Sequence, residues 1–451
     1  MPAEEGYLLA LDVGTTTTRC VLFDLAGTSV AEAYREPTVH HPQANWTEME
    51  PEDWWACAAA AIRQVLGRAR VPKEKVLGVG LCGLKHALVP IDARGRPLAR
   101  AMLWMDQRCQ PQAEWLTREH GELIAEVTGR GGTVSTTPSA PKLRWIVENE
   151  PDLLRQTAKF LLVKDFIRFR LTGKVATDPT DAGGTRLYDL RRGDWSAPLL
   201  ERIGVPVAKM PPILDSTAVA GGVREEAAEA TGLAPGTPVV VGAGDVRCTL
   251  IGANTFGWGE EVPPSGRAER ARACLYLGTA AWLSIGRPVS DGVAPIAAHA
   301  RTPYRSLADD CFGATATTGA ALKWLVRLFG WQRPDGRIPA YAPLFQAAEG
   351  APLGARGLIF LPHLMGERGP RYDSQAKGTL FGLTLAHSRG DIARAVLEGC
   401  AFQLRWIADG LCPAGMGEVV VVGGGAKSSF WLGVIADVMG VSLLVPRVLE
   451  A

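Results

Sequence analysis

Net charge and long apolar runs are the first things that this sequence lacks. Its 451 residues carry a formal net charge of +1 at pH 7, which gives no reason to expect nucleic acid or an anionic membrane surface as a partner. No apolar run reaches the roughly 18 residues of a membrane span. The N-terminal segment MPAEEGYLLALD lacks a basic region followed by an apolar core, so we expect no secretion signal.

Paired cysteines are also missing. The nine cysteines are scattered between Cys20 and Cys412 and form no CxxC pair. An odd, dispersed set favours reduced thiols, and therefore a cytoplasmic protein, over a disulfide framework. Cys82 and His86 have the spacing of metal ligands, but no second pair accompanies them, so they do not indicate a metal site.

Several common catalytic motifs are absent as well. The sequence contains no GxxxxGK[ST] phosphate loop, no HExxH and no GxSxG. GVGLCG, at 78–83, matches GxGxxG, but LKHALVPID follows it and is typical of a strand. A dinucleotide loop needs a helix at that point, so we interpret 78–83 as part of an ordinary buried strand.

What is present is a pattern that occurs twice. The first half opens with two apolar strands around a Gly-Thr turn, LLALDVGTTTTRCVLF, and ARACLYLGTAAWLSIG repeats that order in the second half. Helical and strand patterns follow each pair, including a predicted helix over 140–173. We therefore predict an α/β fold of two duplicated domains, 1–238 and 239–451, divided after the Pro/Gly-rich stretch TGLAPGTPV. A cleft between such halves is a favoured small-molecule site.

The first Gly-Thr turn carries the chemistry of a phosphate grip. Glycine lets backbone N–H groups approach an anion, the hydroxyls of Thr15 and Thr16 add donors, and Asp12 could hold magnesium. The alternative is a plain β-turn whose threonines serve strand propensity. The second turn, Gly278-Thr279, favours the phosphate interpretation, because two such loops could hold a triphosphate between them.

Two further elements suit a phosphotransferase. Gly423 to Gly425 lie between an apolar strand and a helix, where bare backbone can approach a base or ribose; tight strand–helix packing is the alternative. Asp245 ends the apolar strand VVVGAG and is a candidate general base; a helix N-cap is the alternative.

Longer sequence blocks point to one family. KGTLFGLTLAHSRGDIARAVLEGCAF, at 377–402, contains G-x-L-x-G-L, seven residues, and then D-I-x-x-A-V-L-E. PKLRWIVEN, FLPHLMGERGPRYD and LLVKDFIRFRLTGKVATDPTDAGGT are further blocks. From about residue 7 to its end, the sequence resembles the FGGY carbohydrate kinases, with the xylulokinase branch as the nearest pattern. The resemblance implies the actin-like, hexokinase-like (ribonuclease H-like) fold.

The resemblance also implies roles for individual residues. It makes Asp245 the catalytic base and places Lys85, His86, Asp106 and Asp245 at the sugar. Magnesium would be bound by Asp12. The residues implied at ATP are Thr15, Thr16, Gly278, Thr279, Gly319, Gly424, Gly425 and Lys427. The expected reaction is ATP-dependent phosphorylation of a ketopentose such as D-xylulose, with closure of the two halves excluding water.

Three departures from the family pattern keep alternatives open. Lys85 stands where xylulokinases carry a methionine, Val246 follows Asp245 where the family often has an amide, and relatives usually continue for one or two more helices. The alternatives are a kinase of glycerol, ribulose, erythritol or gluconate, and a sugar- or nucleotide-binding relative with impaired catalysis. An actin-like or chaperone-like ATPase shares the fold but not the blocks. A small-molecule substrate and a homodimer are expected; nucleic acid and membrane are not.

Overall fold

The computed structural model describes residues 6–129, 131–253, 273–285, 311–331, 341–369, 373, 375–413 and 415–446. These residues form two compact units, one ending at Cys248 and the other beginning at Thr249. Within the described residues, every helix is too short or too polar to cross a membrane.

The first unit contains most of the secondary structure. Its strands are β1 (Tyr7–Val13), β2 (Thr18–Asp24), β3 (Ser29–Arg35), β4 (Val39–His40), β5 (Glu48–Met49), β6 (Val76–Gly83), β7 (Leu88–Ile91), β8 (Ala101–Met102), β9 (Lys159–Leu162), β10 (Tyr188–Asp189), β11 (Asp194–Trp195), β12 (Val219–Gly222), β13 (Pro238–Val240) and β14 (Ala243–Gly244). Its helices are α1 (Pro51–Ala69), α2 (Gln110–Thr128), α3 (Ser139–Asn149), α4 (Pro151–Gln156), α5 (Val163–Thr172), α6 (Pro179–Gly184), α7 (Ala197–Ile203), α8 (Glu225–Thr231) and α9 (Asp245–Gly252), with 3-10 turns at Lys73–Lys75 and Val207–Lys209.

The main sheet of this unit brings three strand ends together. Its order is β12-β13-β6-β1-β2-β3, and β14 also pairs with β6. Strands β1, β2 and β3 are antiparallel because short turns join them, whereas β6 runs parallel to β1 after the crossover through α1. Register aligns Asp12 with Cys82, and Cys82 with Ala243. The carboxyl ends of β1, β6 and β14 are therefore neighbours.

A second sheet of the first unit corrects one prediction. The predicted helix over 140–173 is interrupted by β9, so that expectation was wrong between Lys159 and Leu162. The segment KFLL pairs with β7 in the sheet β4-β5-β8-β7-β9, where three of its four side chains are buried. A run as short as KFLL, with three apolar residues, fits a helix or a strand equally well, and tertiary pairing decides between them.

The second unit repeats the core of the first. Its elements are β15 (Ala273–Leu277), β16 (Ala281–Ile285), β17 (Cys311–Ala314), α10 (Gly319–Leu328), α11 (Tyr341–Glu349), a 3-10 turn (Leu353–Gly357), β18 (Ile359–Leu361), β19 (Thr379–Phe381), α12 (Arg389–Leu411), β20 (Glu418–Val422), a 3-10 turn (Gly424–Lys427), α13 (Ser429–Met439) and β21 (Ser442–Leu444). The sheet order β17-β16-β15-β20-β21 matches β3-β2-β1-β6-β13, with the same antiparallel and parallel pairs. The duplicated α/β architecture predicted from the sequence is confirmed.

The point of division differs from the sequence estimate of 238/239. Strands β13 and β14 still pair with β6, so the main sheet of the first unit extends past residue 238. The Pro/Gly-rich stretch before β13 is a turn inside that unit, between α8 and the sheet.

The strongest sequence block is a structural element. Ser388 and Asp391 form a capping box at the start of α12: the Asp391 N–H donates to Ser388 Oγ (3.2 Å), and the Ser388 N–H donates to Asp391 Oδ2 (2.8 Å). One face of α12 lies in the core of the second unit. Glu398, the last residue of the D-I-x-x-A-V-L-E pattern, pairs with Arg394 (2.6 Å) and accepts the Gly354 N–H (3.1 Å).

Replacing Ser388 with alanine should destabilise the second unit by about 1 kcal/mol, because a helix N–H loses its side-chain acceptor. Chemical denaturation monitored by circular dichroism measures the loss. Ser429→Ala, at the exposed first position of α13, is the matched control and should change stability by less than about 0.5 kcal/mol. Equal losses in both variants would show that the capping box contributes nothing specific.

Candidate active site

The turn between β1 and β2 is held rigidly by two tryptophans. Trp54 Nε1 donates to the Gly14 carbonyl (3.2 Å), and Trp104 Nε1 donates to Thr15 Oγ1 (3.1 Å). A Cβ at residue 14 would lie 2.7 Å from the Thr17 carbonyl oxygen, so the turn requires glycine there. Thr16 is exposed at the tip. The first predicted phosphate loop is therefore a fixed turn that presents its backbone and Thr16 outward.

Asp12, at the end of β1, has the properties of a cation ligand. Burial raises its pKa to about 6, the Asp245 charge adds to the rise, and the Cys82 thiol and the Arg19 charge oppose it. Its Oδ1 atom is buried and has no hydrogen-bond partner among the described residues. An anionic oxygen without a protein donor fits a magnesium ion or a magnesium-bound water.

Asp245 begins α9, directly after β14. The Val246 N–H donates to its Oδ1 atom (2.8 Å), a contact that Val246 makes through its backbone alone. Burial raises the pKa of Asp245, while the Lys85 charge and the Val246 hydrogen bond oppose the rise. A partly desolvated carboxylate beside a cation suits a general base.

His86 is fixed in an uncommon backbone conformation, with φ at +76°. Its Nδ1–H donates to the Gly184 carbonyl (2.9 Å), which fixes the proton on that nitrogen. The His86 carbonyl accepts from Ser139 Oγ (3.1 Å) and from Lys142 Nζ (3.3 Å). Lys142 belongs to the block PKLRWIVEN, so this block holds His86, a residue predicted at the sugar, in place.

Lys85 passes between two glycines. A Cβ at Gly184 would lie 2.9 Å from Lys85 Cε, and a Cβ at Gly244 would lie 3.0 Å from Lys85 Cδ. Gly244 immediately precedes Asp245. The structure thus brings together four residues that the sequence analysis singled out: Asp12, Lys85, His86 and Asp245.

A fully buried charge cluster supports this arrangement from behind. Lys164 Nζ lies 2.7 Å from Asp165 Oδ1, 2.9 Å from Asp178 Oδ1 and 3.1 Å from Asp181 Oδ2. Thr180 Oγ1 donates to Asp178 Oδ2 (2.6 Å) and accepts the Gly244 N–H (2.8 Å). The cluster therefore fixes the backbone from which Asp245 starts. Sequence reasoning missed these residues, although their block resembles the family.

Asp106 is held in a different network from the residues above. It is fully buried, and its oxygens accept the Thr47 N–H (2.7 Å) and the Arg108 N–H and guanidinium. Arg108 in turn bonds Glu48 and covers the Trp46 ring at 3.5 Å. These contacts favour a structural role for Asp106, and its predicted contact with sugar stays a prediction.

In the second unit, the residues predicted at ATP gather at the ends of β15 and β20. The Gly319 N–H donates to the Gly278 carbonyl (3.0 Å), the Thr318 N–H donates to the Thr279 carbonyl (3.1 Å), and a Cβ at residue 319 would collide with the Gly278 carbonyl. Gly423, with φ at +92°, lies against the Leu277 carbonyl. The second Gly-Thr turn, the start of α10 and the glycine-rich turn are thus one surface.

Two glycines of that surface, Gly424 and Gly425, differ in how closely other atoms pack against them. Gly425 is packed: its Cβ would lie 2.7 Å from Leu277 Cβ and 2.8 Å from Trp431 Cζ3. Gly424 is exposed with open space around it, and Lys427 is also exposed. Gly424 therefore fits a residue that lies against a ligand, whereas Gly425 fits tight strand–helix packing.

Comparison with known proteins identifies the family to which this chain belongs. The N-terminal domain model of the FGGY family of carbohydrate kinases matches residues 7–252, and its C-terminal domain model matches residues 298–451. The chain belongs to the FGGY family of carbohydrate kinases. It is therefore a carbohydrate kinase, an enzyme that phosphorylates sugars with ATP and a divalent metal.

Individual relatives of this FGGY kinase cover nearly its whole length. It is 30% identical over 446 residues to a xylulose kinase of Bacillus subtilis (97% of this chain, 84% of the relative) and 32% identical over 443 residues to one of Escherichia coli (96% and 85%). A crystal structure of a xyloylose kinase from Brucella ovis superposes with a TM-score of 0.79 at 29% identity, covering 98% of this chain and 87% of the other.

The two neighbouring glycines of this FGGY kinase give a paired prediction. Gly425→Ala should destabilise the second unit by about 1–3 kcal/mol, because its methyl group has no room beside Trp431. Gly424→Ala should leave stability within about 0.5 kcal/mol but raise the KM for ATP severalfold. Thermal unfolding and ATP titrations measure both effects. A Gly424→Ala variant with unchanged KM would remove residue 424 from the ATP site.

The raised pKa of Asp12 gives a pH prediction. Above about pH 6 the ionised, desolvated carboxylate destabilises the folded chain, and the penalty disappears as the pH falls towards 4. Asp12→Asn should therefore raise the unfolding temperature at pH 8 and change it little at pH 4.5, in buffer without divalent metal. Magnesium should raise the unfolding temperature of the ATP-bound wild type more than that of the variant. A stabilisation that is equal at both pH values would contradict the raised pKa.

Proposed function

We propose that this FGGY kinase transfers the terminal phosphoryl group of Mg-ATP to a hydroxyl group of a ketopentose, with D-xylulose as the first candidate. The observation that carries the proposal is the grouping of Asp245, Lys85, His86 and Asp12 at adjoining strand ends of the first unit. The relatives from Bacillus subtilis and Escherichia coli are xylulose kinases, which supports the choice of xylulose.

Asp245 acts as the base in this proposal. Its carboxylate accepts the proton of the attacking hydroxyl, and the hydrogen bond from Val246 keeps one oxygen oriented. Phosphoryl transfer otherwise demands alignment and charge neutralisation more than covalent chemistry. His86 supplies alignment, since its ring is held by Gly184 and its backbone by Ser139 and Lys142.

The residues present fit ATP and magnesium. Asp12 would hold the metal, Thr15 and Thr16 would meet phosphate, and the second unit would hold the nucleotide. Its contributors are Gly278, Thr279, Gly319, Gly424 and Lys427. Magnesium, when bound, neutralises charge that develops on the phosphates.

The charges around Lys85 favour a neutral substrate over a sugar acid. Burial raises the pKa of Asp181 and of Asp245, and the Lys85 charge opposes the rise at both, so two carboxylates already interact with its charge. Its ammonium is thus partly neutralised by the protein. Glycerol, ribulose and erythritol remain candidates on this argument, and gluconate is disfavoured.

The dispersed thiols fit a reducing cytosol, and a homodimer remains part of the proposal.

Asp245→Ala should lower sugar-dependent ADP formation at least about 10³-fold, because it removes the carboxylate proposed to accept the hydroxyl proton. A coupled ADP assay measures the rate, and circular dichroism checks folding. Asp409→Ala, on the exposed face of α12, is the control and should retain full activity. Unchanged turnover in Asp245→Ala would remove the base role.

A substrate panel tests the sugar assignment. D-Xylulose should give the highest kcat/KM among D-xylulose, L-xylulose, D-ribulose, L-ribulose, glycerol, erythritol and gluconate in the same ADP assay. Preference for gluconate would contradict the charge argument. Saturable binding of a sugar without ADP formation would favour the impaired relative instead.

A further inference from the structure

The residue directly before Asp245 has to be a glycine. A Cβ at Gly244 would lie 2.9 Å from Asp181 Oδ1 and 3.0 Å from Lys85 Cδ, so crowding excludes a side chain there. Glycine, however, has more backbone freedom than any other residue. The peptide that leads into the proposed base therefore needs a restraint from elsewhere in the fold.

The hydrogen bond that Asp245 accepts from the Val246 N–H (2.8 Å) does not supply this restraint. Donor and acceptor belong to adjacent residues at the start of α9, so both move together when the peptide before them rotates. The restraint comes instead from Thr180 on α6, whose Oγ1 atom accepts the Gly244 N–H at 2.8 Å. A side chain 64 residues away in the sequence thus holds the backbone immediately before the proposed base.

The direction of the Thr180 hydroxyl is fixed by a buried charge. Its proton is donated to Asp178 Oδ2 at 2.6 Å, and Lys164 Nζ lies 2.9 Å from Asp178 Oδ1. Burial acts to raise the pKa of Asp178, but the Lys164 charge and three side-chain hydrogen bonds outweigh burial and hold that pKa below its usual range. An ionised carboxylate only accepts hydrogen bonds, so the Thr180 oxygen keeps a lone pair for the Gly244 N–H.

The helix that carries Thr180 is anchored at both ends. At its start, the Asp178 carboxylate accepts the N–H groups of Thr180 (2.9 Å) and Asp181 (3.4 Å). At its end, the Gly184 carbonyl accepts from the His86 ring (2.9 Å). These contacts satisfy groups that a helix end leaves without partners inside the helix, and they fix where the Thr180 hydroxyl lies.

We propose that Thr180 is a positioning residue for phosphoryl transfer: its hydroxyl fixes the Gly244 peptide and thereby the direction in which Asp245 presents its carboxylate. The inference rests on the base role proposed for Asp245. Misplacing a reacting group by about 1 Å can cost on the order of 100-fold in rate. Loss of this one hydrogen bond should therefore lower kcat much more than it weakens sugar binding.

The test uses the full chain with Mg-ATP and the acceptor that has the highest kcat/KM in the substrate panel. Thr180→Val, which keeps the shape of the side chain but removes the hydroxyl, should lower kcat at least tenfold and change the sugar KM less than threefold. Thr180→Ser, which keeps the hydroxyl, should hold kcat within threefold of the wild type. Ser216→Ala is the matched control: it removes another hydrogen bond to Asp178 Oδ2 (2.8 Å) but leaves the Gly244 contact intact, so kcat should stay within threefold.

Four kinetic results would overturn the proposal. Equal losses of kcat in Thr180→Val and Ser216→Ala would mean that any loosening of the charge cluster has the same effect. Unchanged kcat in Thr180→Val, a loss confined to the sugar KM, or a Thr180→Ser variant as slow as Thr180→Val would each contradict a role of the hydroxyl in positioning.

A double-mutant cycle with Asp245→Ala separates this inference from the base role itself. In the Asp245→Ala background, Thr180→Val should change the residual rate less than twofold, because no carboxylate remains to be positioned. An equal loss of rate in both backgrounds contradicts the inference and leaves the base role intact. If Asp245→Ala retains turnover, the base role fails, and this inference fails with it.

Circular dichroism and thermal unfolding check folding, because a buried N–H without an acceptor lowers stability. Thr180→Val should unfold at a lower temperature than the wild type, and Thr180→Ser close to the wild-type temperature. If Thr180→Val does not fold, Thr180→Cys takes its place, since a thiol is only a weak donor and acceptor. Its kcat should then lie at least threefold below that of Thr180→Ser, and equal values in the two variants would contradict the proposal.

Discussion

The ion pairs of the buried Lys164 ammonium are the interactions on which the proposed sugar side of the site depends. Three carboxylates from α5, the loop before α6 and α6 itself surround it, and none of these four groups reaches solvent. An unpaired charge in that position would be prohibitively desolvated, so the segments must meet in one arrangement. Through Asp178 and Thr180, the same arrangement reaches the Gly244 N–H and sets where α9 begins. The position of Asp245 is therefore decided by charges several side chains behind it.

Duplication supplied two similar turns, and their surroundings gave them different chemistry. The first turn follows Asp12 and is held by Trp54 and Trp104, so it combines a carboxylate with rigid hydroxyls. The second follows an apolar strand and packs its carbonyls on the start of α10, which leaves backbone rather than charge at the surface. One strand–turn–strand pattern thus presents the carboxylate proposed to bind metal in one unit and a side-chain-free surface in the other.

Local patterns predicted the fold well, and long-range contacts explain what they missed. Strand alternation and Gly-Thr turns are visible over a dozen residues, so both halves and their shared order could be predicted. Strand β9 could not be predicted, because its short segment KFLL becomes a strand only by pairing with β7. Lys142 holds His86 from 56 residues away, and Asp181 lies 96 residues from Lys85 in the sequence. The resemblance to the family identified the sequence blocks that contain Lys142 and Asp181, but it did not predict which residues these side chains contact.

Asp12, Asp181 and Asp245 share one physical state: burial raises the pKa of each. A carboxylate in that state destabilises the fold while it is ionised, so these positions are not optimised for stability. In the roles proposed for them, the same desolvation would strengthen the attraction of Asp12 for a divalent cation and of Asp245 for a hydroxyl proton. Lys85, the departure from the xylulokinase pattern, adds a cation where three such carboxylates gather. Its positive charge adds to that of Lys164, which pairs with Asp181, and to that of Arg19, which opposes the rise in the pKa of Asp12.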